Sequence, residues 1–200
     1  MLNELSEVNM MNVLDHQFDE NWWMEYRAGN ILDQTDLDYV IHQCNCFHCM
    51  GGGVAYALAN RWPEVAEIDA TKTKYADENK MGSYTKARVK QQYQHEGEIC
   101  ERDIYVVNIY SQYEPGTAIN NEEIGWSMLC LKTALNNLRD EILERTRTNI
   151  IKNRLFTIGV PWMIGCGIYG MNVNDIYELI RDVFYDYADY IKIIFVDYNA

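Results

Sequence analysis

Residues 104–110 read Ile104-Tyr105-Val106-Val107-Asn108-Ile109-Tyr110. β-Branched and aromatic residues fill this run, the mark of a buried strand. Such a strand needs cover, and the sequence beyond it supplies cover twice. Ile124, Met128, Leu131, Leu135, Leu138 and Ile142 recur every three or four residues and form one apolar stripe of a helix. Leu155–Val160 is the next strand. Val173, Ile176, Ile180, Val183 and Tyr187 make the stripe of a last helix, with Asn172 or Asn174 as its cap. Ile191–Asp197 closes the chain as an apolar strand. Strand, helix, strand, helix, strand requires a largely parallel sheet with helices on both faces. The expected class is α/β, a three-layer α/β/α sandwich.

Working towards the N-terminus, residues 83–92 read as a strand with an exposed or edge face, and 95–102 as a hairpin or loop. Residues 74–82 and 114–121 read as polar loops. Val54–Arg61 has helix-forming residues, and Pro63 can open a second short helix ending near Lys72. Val65, Ile68 and the Lys72 stem would form its inner face. Tyr39–Cys44 is a buried strand running into glycine-rich sequence, and Trp22–Ala28 is a first strand that turns at Gly29-Asn30-Ile31. Residues 1–21 are polar with scattered apolar residues, a short helix or a loosely attached arm. No composition break or internal repeat interrupts 22–200, which is read as one domain.

The 200 residues are 48% hydrophobic and 24% charged. A folded chain of this size buries roughly 70% of its unfolded surface, so no staple is needed. With 17 Lys and Arg against 30 Asp and Glu, the net charge is -13. That excludes an extended nucleic-acid grip through a basic face. It leaves room for a small anion held by backbone N–H groups. Six cysteines do not make a disulfide framework. There is no leader pattern and no run of about 20 apolar residues. A reduced, cytoplasmic protein with no membrane contact is expected.

Two glycine-rich loops, Cys44–Gly53 and Pro161–Gly170, each follow a strand and precede a helix. In an open α/β sheet such loops line the crevice beyond the carboxyl ends of the strands. Glycines there let the backbone approach a ligand, and a diphosphate suits two such loops face to face. Gly51-Gly52-Gly53 has neither the G-x-G-x-x-G spacing of a dinucleotide fold nor the Lys-Ser/Thr of a P-loop. His42, Cys44, Cys46, His48 and Cys49 crowd one segment and are of the types that bind Zn. The one-residue gap between Cys44 and Cys46 is not the usual knuckle spacing, so reduced, packed cysteines without metal or cofactor are expected. A cysteine nucleophile is the other reading of this segment.

These residues resemble a known family. Ile41-His42-Gln43-Cys44-Asn45-Cys46 with Met50 to Ala59 is similar to the first ligand loop of macrodomains. Gly29-Asn30-Ile31, Val107 to Gln112, Ile158 to Pro161, Ile164 to Gly170 and Phe195 to Tyr198 resemble further family segments in the same order. The likeness spans roughly residues 22–199. It is nearest to the branch holding the yeast ADP-ribose-1''-phosphate phosphatase and related bacteriophage proteins. If the chain is of viral origin, its compartment is the host cytoplasm.

The resemblance implies a mostly parallel, mixed six-stranded sheet and an ADP-ribose cleft. It implies that Asn30 and Ile31 meet the adenine and that Asn45 holds the distal ribose. Gly51, Gly52, Gly53 and Val54 would wrap the distal ribose and part of the diphosphate. Gly165, Cys166, Gly167, Ile168 and Tyr169 would hold the phosphates, with Tyr169 over the ligand. His42 is the implied catalytic group, as acid or as activator of water, and His48 is a second candidate. Lys80-Met81-Gly82 partly matches a lysine mechanism of one hydrolase, but Tyr169 stands where that enzyme has its Asp, so Lys80 reads as a solvated loop lysine.

The expected activity is hydrolysis of ADP-ribose-1''-phosphate by a monomer. The alternatives are removal of ADP-ribose from a modified macromolecule and a module that only binds ADP-ribose. An interaction surface of Trp22, Trp23 and the tyrosine-rich 184–190 segment is a third reading. Burial of those aromatics between sheet and helix is the simpler expectation.

Overall fold

The computed structural model describes residues 22–147 and 154–198. The arm or short helix expected at 1–21 lies outside them. Six strands form one sheet: β1 Met24–Ala28, β2 Tyr39–Asn45, β3 Tyr84–His95, β4 Glu98–Gln112, β5 Phe156–Pro161 and β6 Ile191–Asp197. Their order is β1-β6-β5-β2-β4-β3. Only β3 runs antiparallel to its neighbour. The helices are α1 Gly53–Arg61, α2 Glu64–Lys72, α3 Asn121–Arg147 and α4 Val173–Phe184.

Strand alternation divides the core into two. Along β2, Tyr39 and Ile41 face α3 and α4, together with Val107, Ile109, Ile158, Ile193 and Phe195. Val40 faces the other way and joins Val106, Ile194, Leu58 of α1 and Val65 of α2. This is the three-layer sandwich expected from the alternating elements, with the six-stranded mixed sheet the resemblance implied. Leu131, Leu135, Leu138 and Ile142 of the α3 stripe are fully buried. Asn172 is the cap of α4, its side chain accepting from the N–H groups of Asn174 and Asp175.

Several local expectations change. The 95–102 segment is a tight turn at Glu96-Gly97, both in the left-handed region, and β4 already starts at Glu98. The last helix ends at Phe184, and residues 185–187 form a 3-10 turn. On α2, Lys72 is exposed and Asp69 faces inward, 1% exposed. Trp23 and Phe184 are buried as expected, but Trp22, Tyr185 and Tyr190 are exposed.

Candidate functional site

β2, β4 and β5 end side by side, and their carboxyl ends open into a cleft of about 560 Å³. Gly51 to Val54 form one wall and Gly165, Gly167, Ile168 and Tyr169 another. The two glycine loops therefore face each other across one space.

The first wall starts at the end of β2, where the register with β4 shifts between Cys44 and Asn45. Such an irregularity re-aims the chain. Asn45 then organises the turn: its Oδ1 accepts from Phe47 N (2.9 Å) and Cys49 N (3.2 Å), and its Nδ2 donates to Cys49 O (2.7 Å). Asn45 lines the cleft with one amide hydrogen left for a ligand. Gly52 caps α1 in extended conformation and offers no side-chain cap. Among the described residues, the N–H groups of Gly53, Val54 and Ala55 meet no protein acceptor. An added Cβ at Gly52 or Gly53 would meet nothing within 4 Å. These open amides at a helix start favour an anion.

The second wall is held more tightly. Gly165 has φ +73°, and a Cβ there would lie 2.6 Å from Met171 Sδ and 3.2 Å from Gln43 Oε1. Gly165 O accepts from Met171 N. The N–H groups of Gly167, Ile168 and Tyr169 meet no acceptor among the described residues. Cys166 departs from its expected role. Its N–H donates to Met163 O, its side chain packs on the core, and it is absent from the cleft wall. Tyr169 does not lie over the cleft as an exposed lid. It is 3% exposed, its hydroxyl bonded to Ser127 Oγ (2.6 Å) and Glu123 Oε1 (3.1 Å). Ile168, 69% exposed, is the apolar residue on the rim instead.

His42 sits on the cleft wall but is 1% exposed. Its Nε2 lies 2.6 Å from Asn108 Oδ1. Asn108 Nδ2 donates to Val65 O and Thr85 Oγ1, so Oδ1 must accept and His42 carries its proton on Nε2. Burial pushes its pKa down to about 4, so the ring is neutral near pH 7. Its Nε2 proton is engaged by Asn108. Nδ1 faces Cys44 Sγ at 3.5 Å. Burial holds the Cys44 thiol well above its usual range, and Cys46 at about 11, so neither is a thiolate nucleophile.

His48 is not on the cleft wall. With φ +50° it turns to Thr73 Oγ1 (2.8 Å), and its ring meets Tyr75 edge-on. Asn30 and Ile31 are also absent from the wall. Asn30 Oδ1 caps a 3-10 turn by accepting from Leu32 N, and Ile31 is buried in the core. Lys80 is not a solvated lysine. It is 5% exposed, bonded to Asp69 Oδ1 at 2.9 Å and placed 4.3 Å over the Tyr110 ring.

Sequence reasoning missed Gln43, Gln112, Pro115, Gly116 and Met163 on the wall. Gln112 Nε2 donates to Gly116 O, which folds the 113–116 turn over the end of β4. Their placement depends on β4 lying next to β2, a pairing that periodicity does not reveal. Among the described residues, no group of three or more His, Cys, Asp or Glu is arranged to hold a metal ion. All six cysteines are free thiols. No helix of the described residues is long and apolar enough to cross a membrane.

The chain is 33% identical over 177 residues to an uncharacterized 17.5 kDa protein of Enterobacteria phage T4 from the tk-vs intergenic region. The match covers 88% of this chain and 97% of the phage protein. The chain belongs to the family of that phage protein. No protein-family model matches it. Among solved structures, it is similar to the macrodomain of Mycobacterium tuberculosis DarG, with TM-score 0.53, 16% identity, and 88% and 98% of the two chains covered. It is similar to an Oceanobacillus iheyensis macrodomain with MES bound, with TM-score 0.59, 14% identity, and 88% and 84% covered. It is also similar to Thermosipho africanus DarTG in complex with ADP-ribose, with TM-score 0.55, 14% identity, and 86% and 41% covered. The fold is the macrodomain fold. In this macrodomain-fold protein the cleft is built largely from backbone and small side chains.

Proposed function

We propose that the cleft binds ADP-ribose, with the diphosphate between the two glycine loops and the distal ribose beside Asn45. The reading rests on one observation: two sets of open backbone N–H groups, at 53–55 and 167–169, line the same cleft. The Thermosipho africanus protein similar in fold, solved in complex with ADP-ribose, supports it. Adenine would lie towards Asn30 and Ile31, beyond the wall just described.

The activity we propose is hydrolysis of ADP-ribose-1''-phosphate. Water attacks the phosphorus, the bond to the ribose oxygen breaks, and ADP-ribose and inorganic phosphate leave. Amides aimed at the phosphate oxygens would stabilise the developing charge, and the loops would fix the geometry. His42 contributes as a neutral, fixed group on the cleft wall.

A second reading is a module that binds ADP-ribose, free or on a modified macromolecule, without turnover. It is favoured by a specific feature: among the described residues, no Asp, Glu, Lys or Arg stands on the cleft wall.

Calorimetry with ADP-ribose, ADP and AMP, followed by a phosphate-release assay on ADP-ribose-1''-phosphate, separates the readings. Binding of ADP-ribose with phosphate release supports the hydrolase, and binding without release supports the module. Absence of binding overturns both. Asn45→Ala is expected to weaken ADP-ribose by about tenfold, the loss of one well-placed hydrogen bond and the turn it organises. Unchanged affinity would show that the distal ribose lies elsewhere.

A further inference from the structure

A second cavity, of about 840 Å³, opens at the other end of the sheet, where Tyr39, Tyr105 and Phe156 stand near the amino ends of the central strands. Seven residues of β2 separate the two openings, roughly 20 Å at a rise of about 3.3 Å per residue. The chain carries a net charge of -13, yet Arg88, Arg102, Arg145 and Arg154 all reach this cavity.

Each has a carboxylate partner that it shares with a second cation: Arg145 lies 3.5 Å from Glu141, which also pairs with Lys86. Asp38 is shared by Arg102, at 2.7 Å, and Arg154. Asp103 is shared by Arg88 and by Lys90, at 2.9 Å. Asp38, Asp103 and Glu141 thus each serve two cations. Asp36, the remaining acid on the wall, is bonded to Arg27 at 2.8 Å.

The Tyr105 ring is covered, by Tyr39, which is 1% exposed, and by the Lys86 ammonium at 5.2 Å. Tyr39 and Tyr105 stack with ring centroids 5.4 Å apart. The Arg145 guanidinium lies 4.7 Å over the Tyr105 ring and donates to both tyrosine hydroxyls. The Arg145 side chain is 36% exposed, and a guanidinium is a planar group on which a base can stack. The Arg88 and Arg154 side chains are 65% and 45% exposed, so their ion pairs add little to stability and their remaining N–H groups are accessible.

We propose that this cavity is a second ligand site that takes a nucleotide, with the phosphate on Arg88 and Arg154 and the base against the Arg145 guanidinium. Its volume lies in the range of small-ligand pockets. The net charge of the whole molecule repels a long polyanion, so a free mononucleotide fits better than a strand.

The test uses the full chain, labelled with nitrogen-15 and titrated with UMP and GMP, with inorganic phosphate as control. Amide shifts are expected at Arg88, Tyr105 and Phe156, separate from any at Gly52 and Gly167 that report the first cleft. Inorganic phosphate should bind about tenfold more weakly, because it has no ring to stack. The double variant R88Q/R154Q should lose affinity about fivefold or more while melting at the wild-type temperature. Absence of shifts, shifts confined to the glycine loops, equal affinity for phosphate, or an unchanged double variant would each overturn the proposal. Shifts at Gly52 and Gly167 report the first cleft separately, so failure of that reading and failure of this one are distinguishable.

Discussion

His42 is the residue whose surroundings matter most. It is enclosed, neutral and fixed by Asn108. Its pKa is pushed down to about 4 in the fold, against 6.5 for the exposed group. Below pH 6.5 the unfolded chain takes up a proton that the native ring refuses, so native stability falls as pH drops from 6.5 towards 4. The loss from this one group is roughly 3 kcal/mol, complete below the folded pKa. Urea denaturation at pH 7.5, 5.5 and 4.5 should show a shallower acid loss for His42→Gln than for the wild type. Parallel curves would mean that the ring is protonated in the native state. Asn45 shows a related economy of placement: one side chain closes the 45–49 turn and still reaches the cleft.

At the scale of elements, the cleft depends on where helices begin. The start of α1 has no side-chain cap, which leaves its amides for a ligand. The start of α4 is capped by Asn172, which leaves none of that need. Asn172→Ala should therefore cost about 1 kcal/mol, a fall of about 2–4 °C in Tm for a chain this size. Thermal unfolding followed by circular dichroism checks this, with ADP-ribose affinity unchanged. The close approach of the second loop to Gln43 similarly requires Gly165, since its φ and its nearness to Met171 both exclude a side chain.

Across the whole molecule, one buried polar chain ties the α1–α2 layer to the sheet. From His42 it passes through Asn108, Thr85 and Tyr110 to Asp69, where Lys80 and Thr73 also bond. Each donor has an acceptor, and this is what allows a charged pair only 4% and 2% exposed at the side chains. Lys80→Met should cost about 3–5 kcal/mol, because Asp69 is left buried without its cation. The double variant K80M/D69N should cost less than K80M alone. Urea titrations of the two variants check the order. A reversal would show that the pair adds net stability beyond mutual compensation.

The layers were legible in the sequence because burial writes its period into it. The run at 104–110 and the stripes of α3 and α4 each reflect which face must leave water. The two glycine loops were legible too, since glycine marks where backbone must approach something closely. The order β1-β6-β5-β2-β4-β3 was not, because pairing joins residues far apart in the chain and leaves no local period. For the same reason Gln112 and Gly116 came to the cleft unannounced, while Asn30 and Cys166 turned to local partners, His48 to Thr73 and Ile31 into the core. Lys80 reads as a surface residue in any sequence window. Only the fold brings Asp69 within 2.9 Å of it and makes burial of the charge tolerable.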